Sequence, residues 1–263
     1  MDWKDICCPT LMLDEEKCRT NIERMVERAE GAGVRLRPHF KTHQSHIIGR
    51  WFREYGVEKA AVSSLQMANY FAEDGWQDIT HAFPLNPREI GLVNKLAGNI
   101  NLHLTMENTR VIEAIGGSLK EEVGIFIKAD TGYHRTGLSI DEADQIEEML
   151  MRIDDHPKMK FSGFLAHAGH SYRARGEKDI AKIHRQSLEE AQKFRRRFSE
   201  HFPDMIISVG DTPTCSTMES FPGVEEIRPG NFVFYDLSQW QIGSCRPEEI
   251  AVAMACPVVA KHP

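Results

Sequence analysis

Apolar positions along the chain switch repeatedly between two spacings. From Asp14 to Glu30, the residues Cys18, Ile22, Met25, Val26 and Ala29 fall on one stripe of a 3.6-residue helix, which Gly31 and Gly33 then end. Residues 34–40 read as a short strand running into a polar loop. The unit recurs with strands at 59–63, 78–82 and 101–105, before helices starting at Leu65, Pro87 and Glu107. Residues 123–130 are largely apolar, as a parallel strand covered on both faces should be. Ser139 and Glu142 have the spacing of a capping box ahead of an apolar face of Ala143, Ile146, Leu150 and Ile153. Strands at 159–167, 205–210 and 226–235 complete the series, and Ile180, Ile183, Leu188, Ala191, Phe194 and Phe198 mark a long amphipathic helix between the first two. Eight such units, without a dinucleotide glycine signature after the first strand, predict an α/β fold, a (β/α)8 TIM-type barrel rather than an open sheet. After Tyr235 the rhythm breaks into a turn-like 243–247 and a strand within 251–260. Residues 1–237 are expected to form the barrel and 238–263 the incomplete start of a C-terminal β-rich domain; a terminal element folded back on the barrel is the alternative.

Composition narrows the partners. Of 263 residues 39 are acidic and 32 basic, a net charge of −7, which disfavours nucleic acid. No apolar run approaches the roughly 18–20 residues of a membrane span, and the opening Met1 to Asp5 is charged where a secretory leader would be apolar. No membrane association and a cytoplasmic location are therefore expected. Six cysteines without a C-x-x-C pair predict reduced, mostly buried thiols and no zinc site. Arg195 to Arg197 read as the solvated side of a helix, and Trp51, Phe52, Tyr55, Met67, Tyr70 and Phe71 as packing residues.

In a barrel, reactive side chains sit at the C-terminal ends of the strands. The polar residues there are His39, Lys41, Thr42 and His43; Ser63 and Ser64; His81; Asp130, His134 and Arg135; His167, His170 and Tyr172; then 210–216, and Arg228 to Asn231. Gly210, Thr212, Thr214 and Ser216 with Gly230 and Asn231 place small residues, hydroxyls and backbone N–H groups after strands seven and eight, where barrels often bind phosphate. Lys41 would lie across the mouth. A lysine of lowered pKa near a phosphate site suits a Schiff base with a phosphorylated aldehyde, although these residues alone leave open a surface or anion-binding lysine.

The segments Leu11 to Asp14, Arg37 to His43, Asp130 to Gly137, His167 to Tyr172, Gly210 to Thr214 and Arg228 to Asp236 occur in the order seen in the alanine-racemase-like PLP enzymes. The chain most resembles the D-threonine aldolase and D-serine dehydratase branch, over residues 8 to 260. Each motif is weak alone; six in register are specific. The resemblance implies a barrel of the alanine racemase N-terminal kind, with pyridoxal 5′-phosphate in Schiff-base linkage to Lys41. Thr212, Thr214, Gly230 and Asn231 match the phosphate cradle. Arg228 matches the arginine facing the pyridine nitrogen, with Tyr172 a rival for that contact, and Arg135 matches one near the phenolic oxygen and the substrate carboxylate. His167 or His170 is a candidate base, and His39 and His43 flank the lysine.

The resemblance implies a lyase for small hydroxy-D-amino acids, by aldol cleavage or dehydration, and a homodimer. It also implies a divalent zinc or manganese ion held by residues beyond Pro263, so that no metal ligand is assigned in this chain and the chain alone is expected to turn over poorly. An amino-acid racemase, a non-catalytic PLP-binding protein and a barrel for some other phosphorylated metabolite are the alternatives.

Overall fold

The computed structural model describes residues 3–261; Met1 and Asp2, part of the charged opening, lie outside the described residues. Strand β1 (Thr10–Leu13) and helix α1 (Glu15–Gly31) precede the first barrel strand, β2 (Arg35–Leu36). The chain then alternates through α2 (His46–Glu54), β3 (Lys59–Val62), α3 (Leu65–Glu73), β4 (Asp78–Pro84), α4 (Ile90–Ala97), β5 (Asn101–Met106) and α5 (Thr109–Gly116). It continues through β6 (Val123–Ala129), α6 (Ala143–Asp154), β7 (Met159–Ala166), α7 (Glu177–Phe198), β8 (Ile206–Val209), α8 (Thr212–Thr217) and β9 (Glu226–Ile227), ending in α9 (Leu237–Ile242) and β10 (Val252–Ala255). The eight strands β2 to β9 pair in parallel in the order β2-β9-β8-β7-β6-β5-β4-β3. The ring closes just past β2, where Ala61 N donates to Pro38 O and Phe40 N to Ala61 O, both at 2.9 Å.

Local chemistry sets the helix starts. Asp14, Ser45, Ser64, Asn108 and Asp211 each accept a backbone N–H from the first turn of the helix they precede. The Ser139/Glu142 box is present, closing a 3-10 turn at Ile140–Glu142 that leads into α6. Two strands are shorter than their apolar runs predict. Pro38 and Pro229 lack the N–H a ladder needs, so β2 and β9 stop after two residues, and the expected strand over 226–235 becomes a loop and a 3-10 turn at Asn231–Val233.

Strand β6 is buried at every position and explains both layers of the fold. Val123, Ile125, Ile127 and Ala129 join the apolar shell shared with the helices. The alternate residues Gly124, Phe126 and Lys128 face the barrel axis. That interior is ionic at its base: Arg37, 1% exposed, donates from Nε to Glu226 (2.8 Å) and from Nη1 to Asp78 (2.5 Å). Removing one partner of such a buried pair typically costs about 3–5 kcal/mol, because the remaining charges are stranded. Arg37→Met is accordingly expected to lower urea-unfolding stability by about that amount; a loss under about 1 kcal/mol would show that Lys59 and Ser208 suffice for Asp78 and Glu226.

The end of the chain differs in detail from its expected form. Asp236 caps α9, which spans the anticipated boundary at residue 237, and Ile242 packs with Ala174 and Ile180. β10 pairs antiparallel with β1, Thr10 opposite Ala255 and Leu13 opposite Val252, so this small sheet takes one strand from each side of the barrel. All six cysteines are free thiols, but only Cys18 and Cys215 are buried, a correction to the expectation that most would be. Among the described residues, no helix is long and apolar enough to cross a membrane.

Candidate active site

A cavity of about 350 Å³ opens at the C-terminal rim of the barrel, lined by residues within or after six different strands. Lys41, Arg135, His167, His39, Tyr172, Arg228, Gly230 and Asn231, all singled out from the sequence, line it together. His170, Thr212 and Thr214 lie behind the lining.

Lys41 leaves the turn after β2. It is exposed as a residue and lines the cavity, yet loss of hydration and the cations Arg135 and Arg228 lower its pKa below that of an ordinary lysine. His39 sits underneath, with Nδ1 near the backbone N–H of Lys41 (3.4 Å), and burial followed by the Lys41 and Arg228 charges keeps it neutral. His43, expected to flank the lysine, turns away. Its ring lies among Phe40, Phe52 and Phe71, where burial pushes its pKa down to about 3.

The loop after β6 is organised by Asp130, whose Oδ1 accepts the N–H groups of Gly132, Tyr133 and His134, each at 3.0 Å. This fold-back presents the Tyr133 ring to the cavity, with the Arg135 guanidinium 5.1 Å from its centroid. His170 stacks on the same ring at 5.8 Å, and its Nδ1 is buried without a partner. A side chain at Gly169 would put its Cβ 2.3 Å from Tyr133, so only glycine lets the ring lie there. His167 bonds through Nδ1 to the Gly210 carbonyl, which can only accept; the proton is therefore on Nδ1 and the lone pair on Nε2. Burial, and then Lys128, Lys41 and Arg228, bring its pKa down to about 3.

The far wall is built on Asp211. Its carboxylate accepts from Ser171 Oγ (2.7 Å), Thr214 N (2.9 Å) and Thr214 Oγ1 (2.8 Å), which accounts for the buried position of Thr214. Burial nevertheless raises the Asp211 pKa to about 6. Thr212 Oγ1 accepts from Asn231 N (2.9 Å) and more weakly from Gly230 N (3.4 Å), and Thr212 N donates to the Tyr172 hydroxyl (3.1 Å). Thr212 is thus the strut joining the two phosphate-type loops. Asn231 Oδ1 is buried with no partner. A Cβ at Gly230 would approach His39 O to 2.9 Å and Thr42 Oγ1 to 3.2 Å, so the loop after β9 packs on the turn that carries Lys41 only because the residue is glycine, and Lys41 stands beside this loop, not across the mouth as expected.

Lys128 belongs to the site although no sequence motif points to it. It lines the cavity at 4% exposure, and burial with Arg228 and Arg135 lowers its pKa to about 7. Its signal was a lysine at an axis-facing position of an otherwise apolar strand. Glu107 nearby has a raised pKa through burial, and its Oε1 has no partner. Four basic side chains, Lys41, Lys128, Arg135 and Arg228, therefore line a cavity whose one lining carboxylate is already committed to three hydrogen bonds. Such a lining is complementary to a dianionic phosphate together with a carboxylate, and with a lysine among the cations it fits pyridoxal phosphate. Among the described residues, no group of three or more His, Cys, Asp or Glu is placed to hold a metal ion.

Known proteins share this architecture. D-serine dehydratase of Dictyostelium discoideum is 30% identical, with 100% of this chain and 71% of that protein aligned. D-threo-3-hydroxyaspartate dehydratase of Delftia sp. (strain HT23) is 30% identical over 95% of this chain and 67% of its own. Its solved structure superposes with a TM-score of 0.88, covering 94% of this chain and 66% of that one. D-threonine aldolase of Filomicrobium marinum, at 15% identity, has the same fold with a TM-score of 0.80, covering 94% and 68%. The chain spans about two thirds of the length of these relatives. A family model matches residues 13–238, almost the whole barrel, and the chain belongs to the alanine racemase N-terminal domain family.

Proposed function

We propose that the chain carries the cofactor site of a pyridoxal-phosphate-dependent lyase for small hydroxy-D-amino acids, acting by dehydration. The observation that carries this reading is the excess of cations, Lys41 among them, on a cavity with no uncommitted carboxylate. The 30% identity to two dehydratases of D-amino acids supports the substrate class. Lys41 would hold the cofactor covalently, Gly230, Asn231 and Thr42 would face its phosphate, and Arg135, Tyr172, His39 and Arg228 would surround its ring. When bound, the cofactor supplies a conjugated acceptor for the electron pair released at Cα.

The chain's own groups then do the positioning and the proton work. Lys41 Nζ, less basic than a solvated lysine, takes the proton from Cα. Arg135 and Lys128 hold the substrate carboxylate by charge and hydrogen bonding. His167 Nε2, neutral throughout the working range, accepts a hydrogen bond from the substrate hydroxyl and fixes its orientation, while Lys41 Nζ passes the proton taken from Cα to that oxygen so that it leaves as water. Tyr133 closes one side against water. The family resemblance also supports a homodimer and a divalent metal, as proposals of the same reading, and a cytoplasmic location is proposed beside them.

The test is direct. The purified chain is supplied with pyridoxal phosphate, its visible absorption is recorded, it is reduced with borohydride, and the labelled peptide is identified. Label on Lys41 is expected; no chromophore and no label would leave only a barrel for another phosphorylated metabolite. Offering D-serine, D-threonine, 3-hydroxyaspartate and alanine, with and without zinc or manganese, then separates dehydration, aldol cleavage and racemisation.

A further inference from the structure

Beneath the cavity the barrel axis carries a continuous line of buried polar groups. Asp78 and Glu226 share Arg37, as described above. The second oxygen of Glu226, Oε1, accepts from Ser208 Oγ at 2.6 Å, and Ser208 Oγ in turn accepts from Arg228 Nε at 2.7 Å. Arg228 Nη2 donates to the carbonyls of Ala166 and Ser208. Arg37, Glu226 and Ser208 are at most 1% exposed and Arg228 is 5% exposed, so water does not substitute for any of these partners. The direction of each hydrogen bond is set: the guanidinium donates to the hydroxyl, and the hydroxyl donates to the carboxylate.

We propose that Glu226 and Ser208 are positioning residues that clamp one edge of Arg228, fixing its guanidinium as an immobile positive charge on the cavity wall shared with Lys41. This rests on the cofactor reading above for its purpose, though not for its test. A guanidinium is a rigid fork, and holding Nε and Nη2 on the barrel side leaves Nη1 for the cavity. The clamp is more than a strand brace. Ser208 and Glu226 are already register partners in the β8–β9 ladder, and Arg37 already satisfies the other carboxylate oxygen. The Ser208 hydroxyl adds nothing to that pairing except the link to Arg228. A fixed cation costs no reorganisation when an anionic ligand arrives, whereas a mobile one must be ordered each time.

The readout is the protonation of Lys41 in the chain without cofactor, on which Arg228 acts through its charge. It is followed as the pH midpoint of Lys41 acetylation, by competitive labelling and peptide mass spectrometry. Glu226→Gln keeps the hydrogen bond to Ser208 but removes the counter-charge, so the Lys41 midpoint should fall by about half a pH unit. In a Ser208→Ala background the same change should move it by a similar amount, because removal of a charge acts through space, so the clamp itself is read from Ser208→Ala. Ser208→Ala alone, which leaves the Arg37–Glu226 pair intact and carries the test should Glu226→Gln not fold, should displace the midpoint by about half a unit, and Ser208→Thr should restore it. A purely structural brace would lower the thermal stability of Ser208→Ala without moving its Lys41 midpoint. Midpoints equal to wild type in folded Ser208→Ala would overturn the proposal. Failure of pyridoxal phosphate to label Lys41 in the wild type would instead overturn the cofactor reading, and the titration would still decide this one.

Discussion

Lys41→Ala is expected to abolish the borohydride-fixed pyridoxyl label and to lower lyase turnover by at least about a thousandfold, the scale seen when a covalent anchor and base is removed. Two amines line the cavity, so the variant also asks whether position or mere basicity matters. Lys128 is 4% exposed and emerges from β6 inside the barrel, whereas Lys41 is exposed and lines the cavity from the turn after β2. An aldehyde arriving with its phosphate directed to Gly230 and Asn231 meets Lys41 first. Label appearing on Lys128 in Lys41→Ala, with activity retained, would show that the wrong lysine has been chosen. Arg135→Ala serves as the companion: it should keep the label and raise KM, since its guanidinium faces the cavity from the Tyr133 ring and bonds to no part of the Lys41 turn.

Acidification from pH 7.5 to 5 should cost the folded chain several kilocalories per mole, seen as a falling urea midpoint. His43 and His167 have folded pKa values near 3, and His81 and His103 near 4, each lowered first by burial from 6.5. A histidine whose folded pKa lies below its unfolded value binds its proton first in the unfolded chain. The stability from keeping it neutral is therefore complete above about pH 6.5 and is lost as the pH falls toward 4. Each such group contributes up to about 1.4 kcal/mol per pH unit in that window. Asp211 works in the opposite sense, because its folded pKa is raised to about 6 and the folded chain gains its proton first. Asp211 set against these four rings leaves a net loss of up to about 4 kcal/mol per unit, with His39 adding to the loss and Glu107 to the offset in the same senses, large beside the roughly 5–15 kcal/mol that stabilises a domain. His43→Phe, which replaces a buried ring whose Nε2 has no partner by one suited to its aromatic neighbours, should recover stability at pH 5 more than at pH 7.5. A urea midpoint constant from pH 7.5 to 5 would refute the assignment of these four rings as buried and neutral.

Much of the site was legible because its residues come at or just after the strand ends, and a parallel barrel brings the C-terminal ends of all its strands to one rim. Lys41, Arg135, His167 and Arg228 are separated by up to 187 positions in the chain, yet each comes within six residues of the end of a strand. Lys128 was not legible in the same way. Inside 123–129 it interrupts an apolar segment, and nothing in the period of that segment says which face of a strand buried on both sides holds a ligand cavity and which holds helices. Thr212 and Thr214 look equivalent in sequence, but α8 turns one toward Gly230 and Asn231 and the other onto Asp211. His43 has the same polarity as His39, and only the packing of α2 and α3 encloses it in aromatic rings.

The amino-acid order alone determined the number of strand and helix units, where most helices begin, the parallel ring they form and the motifs at its rim. These depend on short-range periodicity, capping and the absence of a proline N–H, all properties of neighbouring residues. The closure of the ring past β2, the pairing of β1 with β10, the line of charges from Asp78 to Arg228 and the inward turn of Lys128 were decided by tertiary structure. They join residues far apart in the chain, and their energies arise from burial: a carboxylate or amine acquires its partner and its altered pKa only once folding has removed the water around it.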